Sequence, residues 1–519
     1  MSSMAEPSDE LANEGPINDQ EVFEKFFQDQ KKNISVHPEH LEPLKSIDEL
    51  DPELTSNLCK MDYHRLLPLQ AFSTNILLSG KKDRHLLVRA PTGSGKTAAF
   101  LIPAIQYVIR HHSTCDRRTK LPLVLIIGNT QNLMQQTFDF ACEMAGYDSK
   151  RKIARTNVRI ADLFSGGDEM HKLIKQYAPP IEHEIVVATC GGVLRAVERN
   201  KLDLSQLKLL IIDEADKMVD ISRGFGLDVH TILSKIPEDA RETLVVAEFS
   251  ATFFCQNNTL QLSDLESELF RNDIPAFIDL PAPKGYITQR VIEKGERIAQ
   301  SPGWLPNFDK DLSWLIGLLE GDLRMHNMKK EGPFKKSTVI FVERKITSNY
   351  LAIFFQLNGY LMEPLNSDYT PQDNSNTIAR MKRGEIQGVV ATNKMSRGQD
   401  IPEVDHVIVY EMAQSFDDYT HRIGRTGRMG KGGRATVLFS VHLDFHHIVP
   451  LVEFMCYHNQ IIPEWLYIEY SNITNIQKQS RSSLSDSFVS AGTNVSSQEC
   501  DEASDEELMN IENSLNIAD

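Results

Sequence analysis

A glycine-containing loop at residues 89–97 is the stretch of the sequence best suited to chemistry. It reads Arg-Ala-Pro-Thr-Gly-Ser-Gly-Lys-Thr and lies between a short apolar run and a longer apolar, helix-competent run. Gly93 and Gly95 allow a tight turn that brings backbone N–H groups close to a phosphate. Lys96 is placed to reach the β and γ phosphates, and the Thr97 hydroxyl to hold Mg²⁺. The loop therefore predicts a nucleoside triphosphate site.

Candidate functional side chains also lie in two other parts of the sequence. Asp213 and Glu214 come directly after the apolar run 209–212, where one carboxylate can hold Mg²⁺ through water and the other can orient the attacking water. Acidic residues at a strand end are also common helix caps, so both interpretations stay open on these residues alone. Gln70 offers a donor and an acceptor to the edge of an adenine, or belongs to an ordinary turn.

Apolar runs alternate with helical stretches, which is the rhythm of parallel, doubly wound sheets. A Pro-containing stretch, Pro275 to Gly285, separates two such series. The predicted strands are Leu86–Val88, Leu123–Ile127, Ile185–Ala188, Leu209–Ile212 and Thr243–Ala247, then Ser337–Val342, Gly388–Ala391, His406–Tyr410 and Ala435–Phe439. Ligands of such sheets bind beyond the carboxyl ends of the strands, which is where the polar residues lie.

The second series has no phosphate loop but carries three arginines at a spacing of three: Arg422, Arg425 and Arg428. This spacing predicts one helical face, and guanidinium groups bind phosphate oxygens in a bidentate manner. A solvated basic face is the alternative interpretation. The glycines between the arginines favour a close backbone approach to a ligand.

Composition limits the function classes. The 55 basic and 72 acidic residues give a net charge of −17, which argues against a protein that coats nucleic acid with its whole surface but permits a local basic groove. None of the seven cysteines forms a C-x-x-C pair, so neither zinc nor a disulfide framework is expected. No apolar run approaches the ~20 residues of a membrane span, and no secretory signal is visible. A cytoplasmic or nuclear location is the expectation.

These motifs together, in this order, resemble the DEAD-box RNA helicases over residues 44 to 465. Three features resemble the Vasa-type branch: the sequence F-S-A-T-F at Phe249–Phe253, the basic insertion Arg117–Lys120, and Asp417-Asp418-Tyr419 before His421. The resemblance implies two tandem RecA-like α/β domains with parallel sheets, ATP in the cleft between them, and disordered termini. The expected boundaries are an acidic segment at 1–40 that is disordered apart from a short helix at Glu21–Phe27, domain 1 at 41–275, a linker at 276–288, domain 2 at 289–468 and a disordered acidic tail at 469–519.

The resemblance also implies a role for individual residues. ATP contacts are expected from Gln70, Ala90, Pro91, Thr92, Gly93, Ser94, Gly95, Lys96, Thr97 and Asp400. Mg²⁺ is expected at Thr97 and Asp213, partly through water. Catalytic roles fall on Lys96, Asp213, Glu214, Ser250, Thr252, His421, Arg425 and Arg428, with Ser250, Thr252 and His421 coupling the domains and the two arginines acting as arginine fingers. RNA contacts are expected from Gly167, Thr189, Gly191, Thr392, Arg397 and Gly398.

The sequence departs from the family mainly where RNA is gripped. The family's P-T-R-E-L-A is Asn129-Thr130-Gln131-Asn132-Leu133-Met134, its T-P-G-R is Thr189-Cys190-Gly191-Gly192, and its A-T-D is Ala391-Thr392-Asn393. Ser375 stands where the Q-x-x-R arginine belongs, and Ile47 stands where an aromatic residue stacks on adenine. Each lost phosphate contact removes electrostatic affinity. We therefore expect ATP hydrolysis to survive with a weaker or remodelled RNA grip, and a protein partner to supply affinity.

The leading hypothesis is an RNA-dependent ATPase that remodels RNA or RNA–protein complexes. The alternatives are an ATP-gated, non-catalytic RNA-binding scaffold and a related translocase on DNA or protein. Lys96, Glu214, Arg425 and Arg428 argue against the scaffold, and Gln70 with Asp213–Asp216 argues against the translocase. Analogy with the Vasa-type branch points to germline or small-RNA metabolism, to RNA-mediated gene silencing and to perinuclear granules in the cytoplasm.

Overall fold

The structure is a computed structural model of the 519-residue chain. It describes residues 19–79, 85–114, 121–148, 153–164, 181–219, 225–251, 255–256, 259–260, 263–281, 286–294, 312, 314–322, 337–392, 401, 403–427 and 432–475. Six of the predicted site residues lie outside these ranges: Gly167, Thr252, Arg397, Gly398, Asp400 and Arg428. Asn393 and the basic insertion at 117–120 also lie outside them.

The first domain is built on an eight-stranded sheet with the order β1-β12-β2-β9-β8-β3-β7-β6. All neighbouring strands are parallel except β1, which runs antiparallel to β12 at the edge. The strands are β1 (Ser35–His37), β2 (Leu86–Arg89), β3 (Val124–Gly128), β4 (Tyr147–Asp148), β5 (Ile153–Ala154), β6 (Ile160–Leu163), β7 (Ile185–Thr189), β8 (Leu209–Asp213), β9 (Val245–Ser250), β10 (Cys255–Gln256), β11 (Thr259–Leu260) and β12 (Ala276–Asp279). Two short hairpins, β4-β5 and β10-β11, stand apart from the sheet.

The second domain is built on a six-stranded sheet that is parallel throughout, with the order β13-β18-β17-β14-β16-β15. Its strands are β13 (Ile287–Glu293), β14 (Thr338–Val342), β15 (Met362–Leu365), β16 (Gly388–Thr392), β17 (His406–Val409) and β18 (Gly433–Phe439). Two parallel-sheet domains of this kind confirm the predicted fold class. Every strand predicted from the sequence is present in one of the two sheets.

Helices follow most strands of the two sheets, in agreement with the predicted βα rhythm. In the first domain they are α1 (Asp19–Asn33), α2 (Pro52–Lys60), α3 (Pro68–Leu78), α4 (Lys96–Thr114), α5 (Gln131–Ala145), α6 (Cys190–Glu198), α7 (Ala215–Met218), α8 (Phe225–Lys235), α9 (Glu238–Arg241) and α10 (Asp264–Leu269). In the second a helix at 314–322 comes first, followed by α11 (Lys345–Leu357), α12 (Pro371–Lys382), α13 (Phe416–Ile423), α14 (Ile448–Tyr457) and a last helix at 464–475. No helix of the described ranges is both long and apolar enough to cross a bilayer.

The central strands form because their sequences are mostly apolar. In β3 and β8 every residue is buried, as expected for strands covered by helices on both faces. The helices begin and end at fitting residues. Thr130 caps α5 by accepting from the backbone N–H of Leu133, and Gly146 ends it at φ 72°. A Cβ at Gly146 would lie 2.5 Å from the Asn57 side chain. Both the left-handed backbone conformation and the lack of space therefore require glycine at this position.

Three predicted boundaries were wrong. The segment expected to be disordered apart from a short helix at Glu21–Phe27 forms the longer helix α1 and the strand β1. The expected linker begins too early, because β12 pairs with β2 in the sheet of domain 1. The expected tail also begins too early, because the last helix of domain 2 continues to residue 475. All three errors have one origin, since these segments are held by tertiary packing and carry a weak local signal.

A buried glutamate lies in the middle of β9. Glu248 is fully buried, and burial together with the nearby Glu266 raises its pKa well above the usual range. Glu266 is itself engaged at the start of α10, where it accepts from the backbone N–H of Ser263. Glu248 is therefore protonated in the folded chain under conditions in which it is ionised in the unfolded chain.

This difference predicts a stability that falls as pH rises. A carboxyl whose pKa is raised by folding contributes its full stability below the pKa of the unfolded chain, near 4.3, and loses it as the pH rises through the folded-state pKa, with a slope of about 1.4 kcal/mol per pH unit. Glu248→Gln should remove this slope. In urea unfolding experiments at pH 5 to 8, the free energy of unfolding of the variant should rise relative to that of the wild type with each increase in pH. The exposed Glu242→Gln is the control, and parallel curves for Glu248→Gln and wild type would contradict the assignment.

Candidate nucleotide and nucleic-acid site

The candidate site lies at the carboxyl ends of the parallel strands of the first sheet, and this end is called the site edge below. Parallel pairing places Arg89 opposite Ser250, Asp213 opposite Phe249, and Gly128 opposite Thr189. The strands β2, β9, β8, β3 and β7 therefore end side by side, in that order. The phosphate loop, the acidic motif and the segments after β3 and β7, which are distant in sequence, come together because of this register.

The loop after β2 has the geometry of a phosphate cradle. Gly93 and Gly95 adopt φ values of 77° and 93°, which side chains other than glycine rarely tolerate. Lys96 begins α4, and its Nζ donates to the backbone carbonyls of Ala90 and Pro91 at 2.5 and 2.9 Å. The loop's own carbonyls thus hold the cation that a phosphate would attract. The buried Ser94 hydroxyl has no hydrogen-bond partner, as expected of a cradle built for a polar ligand.

Gln70 supports this loop from the start of α3. Its Oε1 accepts from the backbone N–H of Leu67 at 2.9 Å, and its Nε2 lies 3.5 Å from the carbonyl of Gly95. A Cβ at Gly95 would come within 2.7 Å of the same nitrogen. The side chain is 1% exposed. Gln70 is therefore next to the loop, as the sequence predicts, but its amide is engaged by the backbone, and its contact with adenine stays a prediction.

The acidic motif is buried at the end of β8. Burial, reinforced by the neighbouring Glu214, raises the pKa of Asp213 to about 7. Glu214 has a left-handed backbone conformation at φ 50°, and its N–H donates to Asp213 Oδ1 at 2.9 Å. Burial alone would raise the pKa of Glu214, but Lys217 and His421 lower it. A buried cluster of carboxylates beside a phosphate loop fits a divalent cation, although no group of three or more ligands forms a preassembled metal cage within the described ranges.

Two side chains that the sequence analysis did not assign hold Glu214. Asn129, just after β3, donates from Nδ2 to Glu214 Oε2 at 2.7 Å. Lys217, which is 3% exposed, donates to the same oxygen at 3.0 Å. The spacing of three between Glu214 and Lys217 was a usable signal. Nothing in the sequence could have revealed the contact of Asn129, because it depends on the pairing of β3 with β8.

The second domain contacts this edge at two points. Thr92 Oγ1 of the phosphate loop donates to the carbonyl of Gly424 at 3.3 Å. His421 Nε2 lies 3.9 Å from Asp216 Oδ2. Burial by itself raises the pKa of Asp216, but His421 and Lys217 more than offset this and hold it well below the usual range. Ser250, at the end of β9, also interacts with Asp216. The residues predicted to couple the domains thus lie together, except for Thr252 outside the described ranges.

A cavity of about 180 Å³ lies between the domains at these contacts. Its lining comes from the phosphate loop, from Ala251 after β9, and from the second domain around α13 and the end of α14. The lining residues named by the sequence analysis are Pro91, Thr92, Gly93, Ser94 and His421. The predicted position of a nucleotide between the two domains is therefore consistent with a cavity in the cleft.

The predicted helical face of arginines was wrong. Helix α13 ends at Ile423, so Arg425 lies beyond it. Arg422 is 1% exposed and points into domain 2, where it donates to the carbonyl of Glu411 at 2.6 Å and pairs with Glu343. Arg422 is therefore a structural anchor for the turn that follows. Arg425 lies directly in this turn, and the carbonyl of Arg425 accepts from the N–H of Val404 at 3.1 Å.

Three residues that were predicted to contact RNA are described by the structure, and they lie at the end of a strand or just after it. Thr189 ends β7 and precedes α6, Gly191 lies in the first turn of α6, and Thr392 ends β16. Gly192, where the family has an arginine, is buried. Arg195, one turn further along, has its guanidinium 3.7 Å from the position of a Cβ on Gly191. The guanidinium of Arg195 is thus near the position where the family motif has an arginine and this chain has Gly192. The spacing of three residues between Gly192 and Arg195 could have indicated this in the sequence.

Two family models match the chain. The DEAD/DEAH box helicase model matches residues 68–260, and the helicase conserved C-terminal domain model matches residues 324–430. The two models together cover more than half of the chain and both domains. The chain is a member of the DEAD-box helicase family.

The family assignment is supported by individual relatives. The chain is similar to the probable ATP-dependent RNA helicase DDX4 of Homo sapiens, at 29% identity over 85% of this chain and 55% of the relative. It is equally similar to the ATP-dependent RNA helicase DDX4 of Mus musculus, at 29% identity over 80% of this chain and 53% of the relative. The chain thus spans about half the length of these relatives. The predicted resemblance to the Vasa-type branch is confirmed.

Solved DEAD-box structures share the fold. S. cerevisiae Dbp5 bound to RNA and ADP BeF3 matches with a TM-score of 0.58 and 24% identity, covering 82% of this chain and 98% of that one. The similarity agrees with two RecA-like domains in tandem.

The contact between Thr92 and Gly424 leaves no room for a larger residue. A Cβ at Gly424 would lie 2.1 Å from Thr92 Oγ1. Gly424→Ala should therefore separate the domains at this point, and small-angle X-ray scattering should give a larger radius of gyration. Thr92→Ala in the same chain should restore part of the compaction, because the next Thr92 atom is 3.3 Å away. Gly432→Ala, where a Cβ meets nothing within 4 Å, is the control. An unchanged radius for Gly424→Ala would show that the two domains do not meet in solution as they do here.

Proposed function

We propose that this chain is an ATP-dependent RNA helicase, an ATPase stimulated by RNA that clamps and remodels RNA or RNA–protein complexes. The observation that carries the proposal is the assembly at one sheet edge. The phosphate loop touches Gly424 of domain 2, while the acidic motif touches His421 of the same domain. A nucleotide bound there would contact both domains, so its hydrolysis would change how they are held together.

Each residue of the edge has a role in this proposal. The N–H groups of the loop would bind the phosphates, and Lys96 would leave the carbonyls of Ala90 and Pro91 to meet them. Glu214, fixed by Asn129 and Lys217, would orient the attacking water. Mg²⁺, when bound by Thr97 and Asp213 partly through water, would supply positive charge beside the β and γ phosphates. Arg425, with Arg428, would stabilise the charge that develops on the transferred phosphoryl group.

The proposed substrate is the RNA backbone, gripped without sequence preference. Helix N-termini at α5 and α6 lie at the same edge as the acidic motif, and Arg195 adds a cation there. The altered motifs support a weaker grip than in relatives with complete motifs, and hence a protein partner that supplies affinity. The similarity to DDX4 supports a place in germline or small-RNA metabolism, and with it a location in cytoplasmic, perinuclear granules.

ATP hydrolysis with and without single-stranded RNA tests the enzyme. The wild type should hydrolyse ATP faster with RNA, and Glu214→Gln should lower turnover about 100-fold or more, because a carboxylate that accepts the proton of the attacking water is lost. The exposed Glu242→Gln controls for the loss of one negative charge. No turnover by the wild type, with ATP still bound, would favour the ATP-gated scaffold. Equal stimulation by DNA would favour the translocase.

The salt dependence of RNA binding tests the altered grip. Gln131 is exposed at the start of α5, where the family has an arginine. Gln131→Arg should steepen the slope of log K against log salt by about 0.7 for single-stranded RNA, since one phosphate contact is added. Gln206→Arg adds the same charge at an exposed position just before β8, at the amino-terminal ends of the strands. This variant should leave the slope nearly unchanged. Equal slopes for both variants would show that RNA does not lie along α5.

A further inference from the structure

Helix α11 of the second domain is apolar on two sides. The side that faces the sheet is buried and includes Leu351, Ala352 and Phe355. The side that faces solvent carries a row of large apolar residues, called the α11 stripe below: Ile346, Tyr350, Ile353 and Leu357, at 61, 45, 58 and 82% exposure. The next helix, α12, has only polar residues among those exposed between positions 372 and 382. A continuous apolar row on the surface of a domain marks an interaction site.

The spacing within the α11 stripe indicates which kind of element fits it. Its four residues recur at intervals of four, three and four, which is the heptad spacing of a coiled-coil seam. Because such a seam stays on one narrow side of a helix, it offers knobs and holes to a second helix that lies alongside. The stripe is two heptads long, so the element that fits it is a short helix with the same spacing.

The C-terminal end of the sequence contains such a segment. Leu508, Ile511, Leu515 and Ala518 recur at intervals of three, four and three. Ser504 and Glu507 have the spacing of a capping box, which predicts that a helix begins after Ser504. These residues lie outside the described ranges, and the helix is a prediction from the sequence. A helix of about 15 residues is marginal in water by itself and needs a surface to pack on.

Charge favours the pairing of the two segments and sets its direction. Residues 344–360 include two basic residues and no acidic one, whereas residues 501–519 include seven acidic residues and no basic one. The basic pair, Arg344 and Lys345, is exposed at the start of α11, where the helix dipole also favours negative charge. Lys345 pairs with Asp368 at 2.8 Å, so Arg344 and the dipole carry the attraction. A parallel arrangement brings the acidic start of the C-terminal segment to this end of α11.

The chain is long enough for its own C-terminal segment to reach the stripe. The described part of the chain ends at residue 475, in the last helix, whose Leu466 and Tyr470 pack on the face of the second sheet opposite to α11. Residues 476–507 connect the two segments. A coil of this length spans about 30 Å on average, which is comparable with the width of a six-stranded sheet whose strands lie about 4.8 Å apart.

We propose that residues 504–518 dock as a helix on the α11 stripe of the same chain, parallel to α11. In the register that pairs the two seams, each tail residue lies level with one residue of the stripe: Leu508 with Tyr350, Ile511 with Ile353, and Leu515 with Leu357. The same register places Glu502 level with Arg344. The α11 stripe is therefore an intramolecular docking surface of domain 2, and the acidic end of the chain is its ligand.

Hydrogen exchange in the full chain, without nucleotide or RNA, tests the docking. A tethered segment has an effective concentration in the millimolar range, so even weak packing should slow exchange of the amides at 508–517 about fivefold. Leu515→Ser changes only the tail and should abolish this protection. Ile353→Ser changes only the stripe and should abolish it to the same extent. Two controls should keep the protection of the wild type: Asn513→Ser, on the other side of the tail helix, and the exposed Asn376→Ser on α12.

Three results would overturn the proposal. Exchange of 508–517 that is as fast in the wild type as in Leu515→Ser would show that the tail does not dock. Protection lost in Leu515→Ser but kept in Ile353→Ser and in Leu357→Ser would show that it docks elsewhere. Protection that rises with protein concentration would assign the stripe to the tail of a second copy. Ile353 and Leu357 lie outside the core, so both variants should keep the urea midpoint of the wild type.

Discussion

The parallel register of the first sheet is the constraint on which the rest of the structure depends. Because β2, β9, β8, β3 and β7 run in the same direction and in register, the residues that follow them meet at one edge. Four separate segments thereby supply the phosphate loop, the paired carboxylates, Ser250 and Asn129. A shift of one strand by a single residue would exchange its buried and ligand-facing side chains. The site is thus a consequence of the sheet.

The second constraint is how closely the two domains approach. The phosphate loop meets domain 2 at Gly424, where no side chain fits, and the acidic motif meets it at His421. The turn that carries Gly424 is held from inside domain 2 by the buried Arg422. A rigid turn, a missing Cβ and a hydroxyl donor together make this interface sensitive to small changes in the loop. Such sensitivity suits a site whose ligand must alter the contact between domains.

The sequence predicted the structure correctly for strands that are buried along their whole length and for motifs formed by neighbouring residues. The central strands β3 and β8 were predicted because each contains an uninterrupted apolar run. The loop was predicted because Gly93 and Gly95 permit a turn that few other sequences allow. The strands β1 and β12 were missed, and the helix α1 was expected only as the short segment Glu21–Phe27, since contacts distant in sequence stabilise them. The arginine face failed because Gly424 ends α13 early. The bond between Asn129 and Glu214 needed the strand order, which no local pattern contains.

That bond ties the segment that departs from the family to the carboxylate that we propose orients water. Position 129 holds a proline in the family motif, and proline has no side-chain donor. A proline at this one position would remove a hydrogen bond of 2.7 Å from Glu214 and leave the bond from Lys217. A substitution that brings the segment after β3 nearer to the family motif therefore also changes how Glu214 is held. The two motifs are mechanically linked through the side chain of Asn129.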